Sequence, residues 1–453
     1  MPQAQAAERM SRVDTAWLRM DNESNLMMIV GVWLLAPRLD HARLVERVRE
    51  RLLGYRRFRQ KVVEDALGAS WVDDARFDIA RHVVRETLPR GRDRRAALQS
   101  RVAALATRRL DHRRPLWQFH LVEDYEPGRS ALIVRIHHCI ADGIALVGVM
   151  MSMVDGGAAP PRAEREAADD GPLVEGLVRS VGLLTTQPLD LARSGLQLAG
   201  DAAALLLMPD DSPTRLKGKP GRAKRVAWSE PMPLDEVKAV GKALGCSVND
   251  VLLASVAGSI GSWLAAQGED TAGKEIRAMV PVNLRPPASA PQLGNRFGLA
   301  PLTLPIGIDN PVQRVRDVRA RMAALKGSFQ PLLAFAVLAV AGLLVKPAQD
   351  ALLGLFARKT TAVMTNLPGP AEPVHLCGST LEQVMFWVPQ SGAIGVGVSV
   401  LSYAGAVQFG LITAAALCPE PQHIIDRFRP EFEKLLWLAL MLPWNEPESA
   451  GAE

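Results

Sequence analysis

The chain has 453 residues, 48% of them hydrophobic and 22% charged. That balance excludes a disordered or collagen-like polymer and predicts about two or three domains with a sizeable core. Lys and Arg number 53 against 48 Asp and Glu, a net charge of +5, too dilute over this length to point to nucleic acid but compatible with anionic small molecules or an anionic membrane surface. The cysteines Cys139, Cys246, Cys377 and Cys418 lie far apart with no CxxC pair. This spacing argues against a zinc site or a disulfide framework and for a reducing cytosol.

The N-terminal segment MPQAQAAERMSRVDTAW lacks a basic region followed by an apolar run, so no secretory signal is read there. Residues 44–53 and 99–109 read as amphipathic helices, 131–136 as a short apolar strand, and 143–154 as a helix rich in Met and Val. Composition changes at Asp155, where DGGAAPPRAEREAADDGP reads as an exposed linker. Two apolar segments, 173–184 and 189–207, suggest a helical crossover. A basic cluster then follows: Arg215, Lys217, Lys219, Arg222, Lys224 and Arg225. It reads as a solvated loop or, more sharply, as a patch that attracts phosphates. Beyond it, helices are expected over 234–244, over 247–264 with a capping-box start, and over 422–440. Strands are expected over 278–283 and 299–306, and a hairpin over 395–413. The apolar run 332–345 is shorter than the ~20 residues a spanning helix needs; it predicts a buried helix, or alternatively one that lies on a bilayer or lines an apolar pocket. The pattern is α/β: mixed sheets with helices in an N-terminal domain (1–154), a linker and crossover (155–225) and a C-terminal domain (226–453).

The chemistry concentrates in His137–His138–Cys139–Ile140–Ala141–Asp142–Gly143, at the end of the strand over 131–136. Strand alternation puts Leu132, Val134, Ile136 and His138 on one face and Ile133, Arg135 and His137 on the other. An imidazole ending an apolar row beside a cavity stays neutral near pH 7 and can act as a base. Asp142, before the turn-relaxing Gly143, is read as holding the turn and the imidazole geometry. Adjacent histidines diverge on a strand and no third ligand lies nearby, so no metal is expected.

HHCIADG resembles the HHxxxDG motif of the wax ester synthase/diacylglycerol acyltransferase family, within the fold group of chloramphenicol acetyltransferase and peptide-synthetase condensation domains. Pro115–Leu116–Trp117, Ser247–Val248–Asn249–Asp250–Val251, Pro281–Val282–Asn283–Leu284–Arg285, Gly294–Asn295–Arg296–Phe297–Gly298 and Thr365–Asn366–Leu367–Pro368–Gly369–Pro370 resemble further family blocks, in order along the chain. Residues 25–29 lack the Pro-Met-His sequence common in the first strand, and Thr413–Ala414 stand where many members carry an acid.

The resemblance implies two chloramphenicol acetyltransferase-like domains with the active site in a tunnel between them. It implies an O-acyltransferase moving a long-chain fatty acyl group from acyl-CoA, a co-substrate, to a fatty alcohol or diacylglycerol, with no cofactor. His138 is the expected general base, with His137, Asp142 and Asn249 as further catalytic candidates. Gly143, Trp117, Asp250 and Arg285 are substrate-binding candidates, and Arg285 is also a possible partner of Asp142. Structural alternatives stand beside these roles: a hydrogen bond on the far face for His137, helix capping for Asp250, and a core position for Trp117. The expected setting is cytoplasmic, at the inner membrane face or on lipid droplets. Competing readings are a non-catalytic lipid-binding or droplet-coating protein and another CoA-dependent acyltransferase of the fold group.

Overall fold

The computed structural model describes residues 7–65, 68–89, 91–160, 207–284 and 293–442, with a few positions between 200 and 204. Arg285 and most of the crossover expected over 173–207 lie outside the described residues.

Two large sheets organise the molecule, and each has its own hydrophobic core. The first comprises β2 (Met28–Ala36), β5 (Val83–Glu86), β6 (Trp117–Glu126), β7 (Arg129–His137), β13 (His375–Leu376) and β14 (Ser379–Trp387), in the order β13-β14-β2-β7-β6-β5. Strand β7 is central and buried from Ser130 to His137, which explains its nearly continuous apolar sequence. The second half of the chain completes this sheet, because β14 pairs antiparallel with β2 along Trp387↔Val30. No strand was expected there: STLEQVMFW carries too many polar residues to read as a core strand, although Leu381, Met385 and Trp387 are buried.

The second sheet comprises β8 (Lys224–Trp228), β9 (Met232–Pro233), β10 (Ile276–Asn283), β11 (Phe297–Leu304), β12 (Ala362–Pro368), β15 (Val396–Tyr403) and β16 (Ala406–Ala414). Its order is β11-β10-β12-β15-β16-β8, with β9 beside β16. It is mixed: β12 runs parallel to both β10 and β15, and the other pairs are antiparallel. The expected hairpin is β15–β16, closed at Tyr403↔Ala406 with Ala404 at φ 47° and Gly405 at φ 75°, the doubly left-handed turn that suits strand twist. A small sheet of β1 (Glu8–Arg9), β3 (Gln60–Asp65) and β4 (Gly68–Asp73) flanks the N-terminal half.

Among the helices, α1 (Arg12–Arg19), α2 (His41–Glu50), α3 (Arg94–Ala106) and α4 (Gly143–Met153) belong to the first half. Helix α3 starts earlier than expected because the Asp93 side chain accepts from Ala96 N–H at 2.8 Å and caps it. In the second half come α5 (Leu234–Leu244), α6 (Val248–Ala266), α7 (Pro311–Lys326), α8 (Gln330–Ala341), α9 (Lys346–Arg358) and α10 (Gln422–Met441). Helix α6 is long and apolar enough to cross a membrane, but 78% of that window is buried within the second domain, and α5, α7 and α10 pack on it. The apolar run 332–345 does not form one helix. Gly342, where a Cβ would lie 1.8 Å from the Arg12 carbonyl oxygen, sits in the turn after α8, and Pro347 opens α9.

Candidate functional site

Strand β7 delivers two histidines to opposite environments. His137 N–H donates to the Leu116 carbonyl at 2.9 Å and His138 N–H to the Met27 carbonyl at 2.7 Å, which fixes the backbone at the strand end. The His138 ring stacks on Trp17 of α1, with centroids 4.3 Å apart and planes 14° from parallel, and lies 5.5 Å from the ring of Phe297 on β11. Its Nδ1 is buried without a hydrogen-bond partner among the described residues. Burial pushes the imidazole down to about 4, and the charge of Asp142 pulls back only in part. The ring is therefore neutral at pH 7.

On the other face, His137 Nε2 lies 3.4 Å from Asp21 Oδ1, and His137 Nδ1 accepts from Cys139 N–H at 3.2 Å. Burial works against the charged form of His137, but the Cys139 sulfur and the Asp21 carboxylate outweigh it and raise the imidazole to about 10. Burial works to raise the Asp21 pKa, but the contacts with His137 and the Met27 N–H outweigh it and hold the carboxyl below the usual range. His112 Nε2 approaches the other carboxylate oxygen at 4.0 Å. The Cys139 thiol is fully buried and pushed up by that burial, so it is a poor nucleophile.

Asp142 does not hydrogen-bond the His138 ring. Its carboxylate caps α4 through Ala145 N–H at 3.0 Å and accepts from Arg296 N–H at 3.1 Å. The loop 294–296 thereby docks on the histidine turn. Gly294, at φ +95°, forms a parallel bridge to Ala141. Asn295 Nδ2 donates to the His138 carbonyl at 2.7 Å and to Asp14 Oδ1 at 2.7 Å. One chain of contacts thus runs from Asp14 on α1 through Asn295 to the His138 backbone. Asp14, Trp17, Asn295 and Phe297 are the residues that sequence reasoning left without a role. The block at 294–298 stood out only as a resemblance, and nothing local shows that residues 17, 138 and 297 share one ring cluster.

The apolar row carries through to a cavity. Val134 and Ile136, which precede His138 on its face, line a space of about 830 Å³, open solvent at its mouth included, together with Gly143, Leu146 and Met150 of α4 and Leu367 of β12. A Cβ at Gly143 would lie 3.2 Å from Leu367 Cδ1, so the glycine allows α4 and β12 to approach. Beside Leu367, Asn366 Nδ2 donates to Asn249 Oδ1 at 2.9 Å. This leaves the Asn249 amide nitrogen as a donor. Asp250 is committed to its helix start, accepting from Ser247 N–H at 2.9 Å and from its hydroxyl at 2.7 Å. Trp117 is fully buried, donates from Nε1 to the Phe58 carbonyl at 2.9 Å and stacks on His82 at 4.5 Å. It packs in the core and is not among the residues lining this cavity.

The basic cluster does not form one open patch. Arg215 pairs with Glu269, Lys217 lies near Asp211 and Arg222 pairs with Glu23. Lys224 is buried against Asn25 Oδ1 at 2.5 Å, and that burial depresses its pKa to about 8. Among the described residues, no group of three or more His, Cys, Asp and Glu is placed to hold a metal ion.

Residues 10–252 match the wax ester synthase/diacylglycerol acyltransferase catalytic domain, and residues 293–436 match the C-terminal domain of the same family. The chain is 28% identical over 427 residues to the probable diacylglycerol O-acyltransferase tgs1 of Mycobacterium tuberculosis, covering 89% of this chain and 90% of the relative. A putative diacylglycerol O-acyltransferase of the same organism is 30% identical over 389 residues, 82% of this chain and 84% of that one. The fold superposes on the wax ester synthase/diacylglycerol acyltransferase of Marinobacter aquaeolei VT8 with a TM-score of 0.69 at 22% identity, covering 96% of this chain and all of that one. It also superposes on the first condensation domain of the calcium-dependent antibiotic synthetase, with a TM-score of 0.65 at 16% identity and 97% of each chain covered. The two-domain α/β architecture is accordingly the chloramphenicol acetyltransferase-like fold, and the chain belongs to the wax ester synthase/diacylglycerol acyltransferase family, a family of acyl-CoA-dependent O-acyltransferases.

Proposed function

We propose that the protein transfers a long-chain fatty acyl group from acyl-CoA to the hydroxyl of a fatty alcohol or a diacylglycerol, with His138 as the general base. One observation carries this reading: His138 ends the row Val134–Ile136 that lines the apolar cavity, and its ring is neutral. The names of the relatives, diacylglycerol O-acyltransferases, support a diacylglycerol acceptor.

In this reading the His138 imidazole takes the acceptor hydroxyl proton as the oxygen attacks the thioester carbonyl. The new carbon–oxygen bond gives a tetrahedral oxyanion, to which the Asn249 amide donates. Collapse breaks the carbon–sulfur bond, and the imidazolium returns its proton to the departing thiolate. The products are an ester and free CoA, with no covalent acyl-enzyme. Asp142 acts by fixing the turn against Arg296 and capping α4. His137 acts as a positioning residue through Asp21. Gly143 lines the cavity and lets α4 and β12 approach around it. The protein works as a peripheral enzyme at the inner membrane face or on lipid droplets.

Thiol release from palmitoyl-CoA, measured with hexadecanol, a diacylglycerol and hexadecylamine in parallel, tests the proposal. Release with the hydroxyl acceptors and ester formation by mass spectrometry are expected. Turnover with the amine alone would assign another reaction of the fold group, and binding of lipid without release from any acceptor would make the chain a lipid-binding protein.

A further inference from the structure

Helix α8 carries no charged residue over Gln330–Ala341, yet Leu332, Leu333, Phe335 and Val337 remain partly exposed along it. Its end and the turn into α9 expose Val340, Leu343 and Val345, at 43%, 55% and 66%, and α9 adds Leu355 at 46%. Single exposed apolar residues are ordinary, but a group carried by one helical hairpin marks an interaction surface. The charges on this hairpin are one-sided. Lys326 precedes α8, Lys346 opens α9 and Arg358–Lys359 close it, whereas Asp350 is the one acid from 326 to 359. Asp350 is matched by Lys346 at 3.4 Å. An apolar face on a segment with an excess of cations complements an anionic lipid surface, where apolar burial and attraction to headgroups add.

The hairpin is also joined to the histidine site. Lys346 Nζ donates to the Arg19 and Asp21 carbonyls at 2.6 and 3.2 Å, Gln349 Nε2 to the Ala16 carbonyl at 2.9 Å, and Arg19 Nη1 to the Leu344 carbonyl at 3.3 Å. The segment it grips is α1 and the turn after it, which place Trp17 on His138 and Asp21 beside His137. From this we infer that α8–α9 is the face on which the enzyme rests on an anionic phospholipid bilayer, one helix away from the histidine pair. This inference rests on the proposed lipid acceptor and names the surface from which that acceptor is drawn. A second exposed apolar group, Trp437, Leu440 and Met441 at the end of α10, lacks that link and supplies a control.

The experiment is flotation of the full chain with phosphatidylcholine–phosphatidylglycerol vesicles and with pure phosphatidylcholine vesicles, at about 0.1 M and about 1 M salt. The chain floats with the anionic vesicles, more weakly at high salt. Combined Val340→Asp, Leu343→Asp and Val345→Asp substitution lowers the bound fraction roughly tenfold or more, since three apolar side chains no longer enter the lipid. Trp437→Asp floats as wild type, and the melting temperature of the triple variant is unchanged. Equal flotation of the triple variant and wild type, or loss in Trp437→Asp alone, would overturn the assignment. So would a wild type that never floats. A marked drop in melting temperature would show the face is covered by the chain itself, and a wild-type dimer dispersed by the substitutions would show it holds a second copy; either refutes the proposal. Flotation needs no turnover, so a chain that floats yet releases no CoA refutes the proposed reaction and leaves the face standing.

Discussion

His137 and His138 are neighbours in sequence with opposite surroundings. His137 is held on its own face: one nitrogen accepts from Cys139 N–H, and the other lies at ion-pair distance, 3.4 Å, from the Asp21 carboxylate without a hydrogen bond to it. His138 stacks on Trp17 with Phe297 beside both rings, its Nδ1 is unpartnered among the described residues, and the apolar row before it lines a cavity. An imidazole beside a carboxylate orients its surroundings, whereas one with an unpartnered ring nitrogen can exchange a proton with a bound hydroxyl. Strand alternation produces this division, since one residue of register separates the two faces. Burial without a charged hydrogen-bond partner, not a histidine–carboxylate couple, is what sets the state of the proposed base.

Removing each ring in turn tests that contrast most strongly. His138→Ala is expected to lower kcat by ~10²–10⁴-fold with the fold intact, the usual cost of losing a general base. His137→Ala is expected to lose less turnover and more thermal stability, because it leaves the buried Asp21 carboxylate short of a partner. Steady-state CoA release and thermal melting on both variants decide the matter. Equal kinetic loss with unchanged melting would erase the distinction between the faces.

Asp142 sharpens the comparison, since it serves the turn the two histidines share. Its partners include the backbone N–H groups of Ala145 and Arg296. Asp142→Ala removes a helix cap and leaves the Arg296 donor unmet, a loss of roughly 2–4 kcal/mol in urea unfolding. Asp142→Asn keeps an acceptor and should recover much of that stability. An Asp142→Ala protein as stable as wild type would show that the loop at 294–296 docks without it.

Much of this was legible in the sequence, and the rest was hidden for identifiable reasons. The faces of β7, the capping box at Ser247 and the β15–β16 hairpin follow from local periodicity and turn chemistry. The pairing of β14 with β2 does not, because that contact joins residues some 350 positions apart and the strand is only half apolar. The rings around His138 were invisible for the same reason: Trp17 and Phe297 come from α1 and β11, and a tryptophan in a helix reads as core wherever it lies. The basic cluster, which reads as a solvated loop or a phosphate patch, could not be resolved locally for the converse reason. Its cations are adjacent in sequence, but Glu269 and Glu23, which meet Arg215 and Arg222, come from elsewhere in the chain, and Asp211, which meets Lys217, lies just ahead of the cluster.

The buried, neutral histidines have a consequence for pH. His138 and His120 are both pushed down to about 4 by burial, against an ordinary value of 6.5. An unfolded chain takes up protons at these positions below pH 6.5, and the folded one does so only near pH 4. Each therefore contributes stability that is fully present above pH 6.5 and is lost as pH falls through the window to about 4, at about 1.4 kcal/mol per pH unit per group. Urea unfolding at stepped pH is expected to show this slope. His138→Gln should remove one group's share of it, whereas an unchanged slope would mean that His138 already titrates normally in the fold.

The smallest expected effect is also the most specific to the proposed base. Trp17 covers one face of the His138 ring at 4.3 Å, and Phe297 lies near it at 5.5 Å. Trp17→Leu keeps α1 apolar but admits water beside the imidazole. Solvation favours the charged form, so the His138 pKa should climb from about 4 toward 6.5, and the acid limb of kcat/KM should climb with it. Turnover at pH 8 should change far less, because the ring is neutral there in both proteins. Phe297→Leu should move the limb in the same direction by a smaller amount, since that ring is farther away and tilted. A limb that stays in place while kcat falls uniformly would mean that Trp17 shapes the substrate path and leaves the base untouched, and the contrast between the two histidines would then rest on the cavity alone.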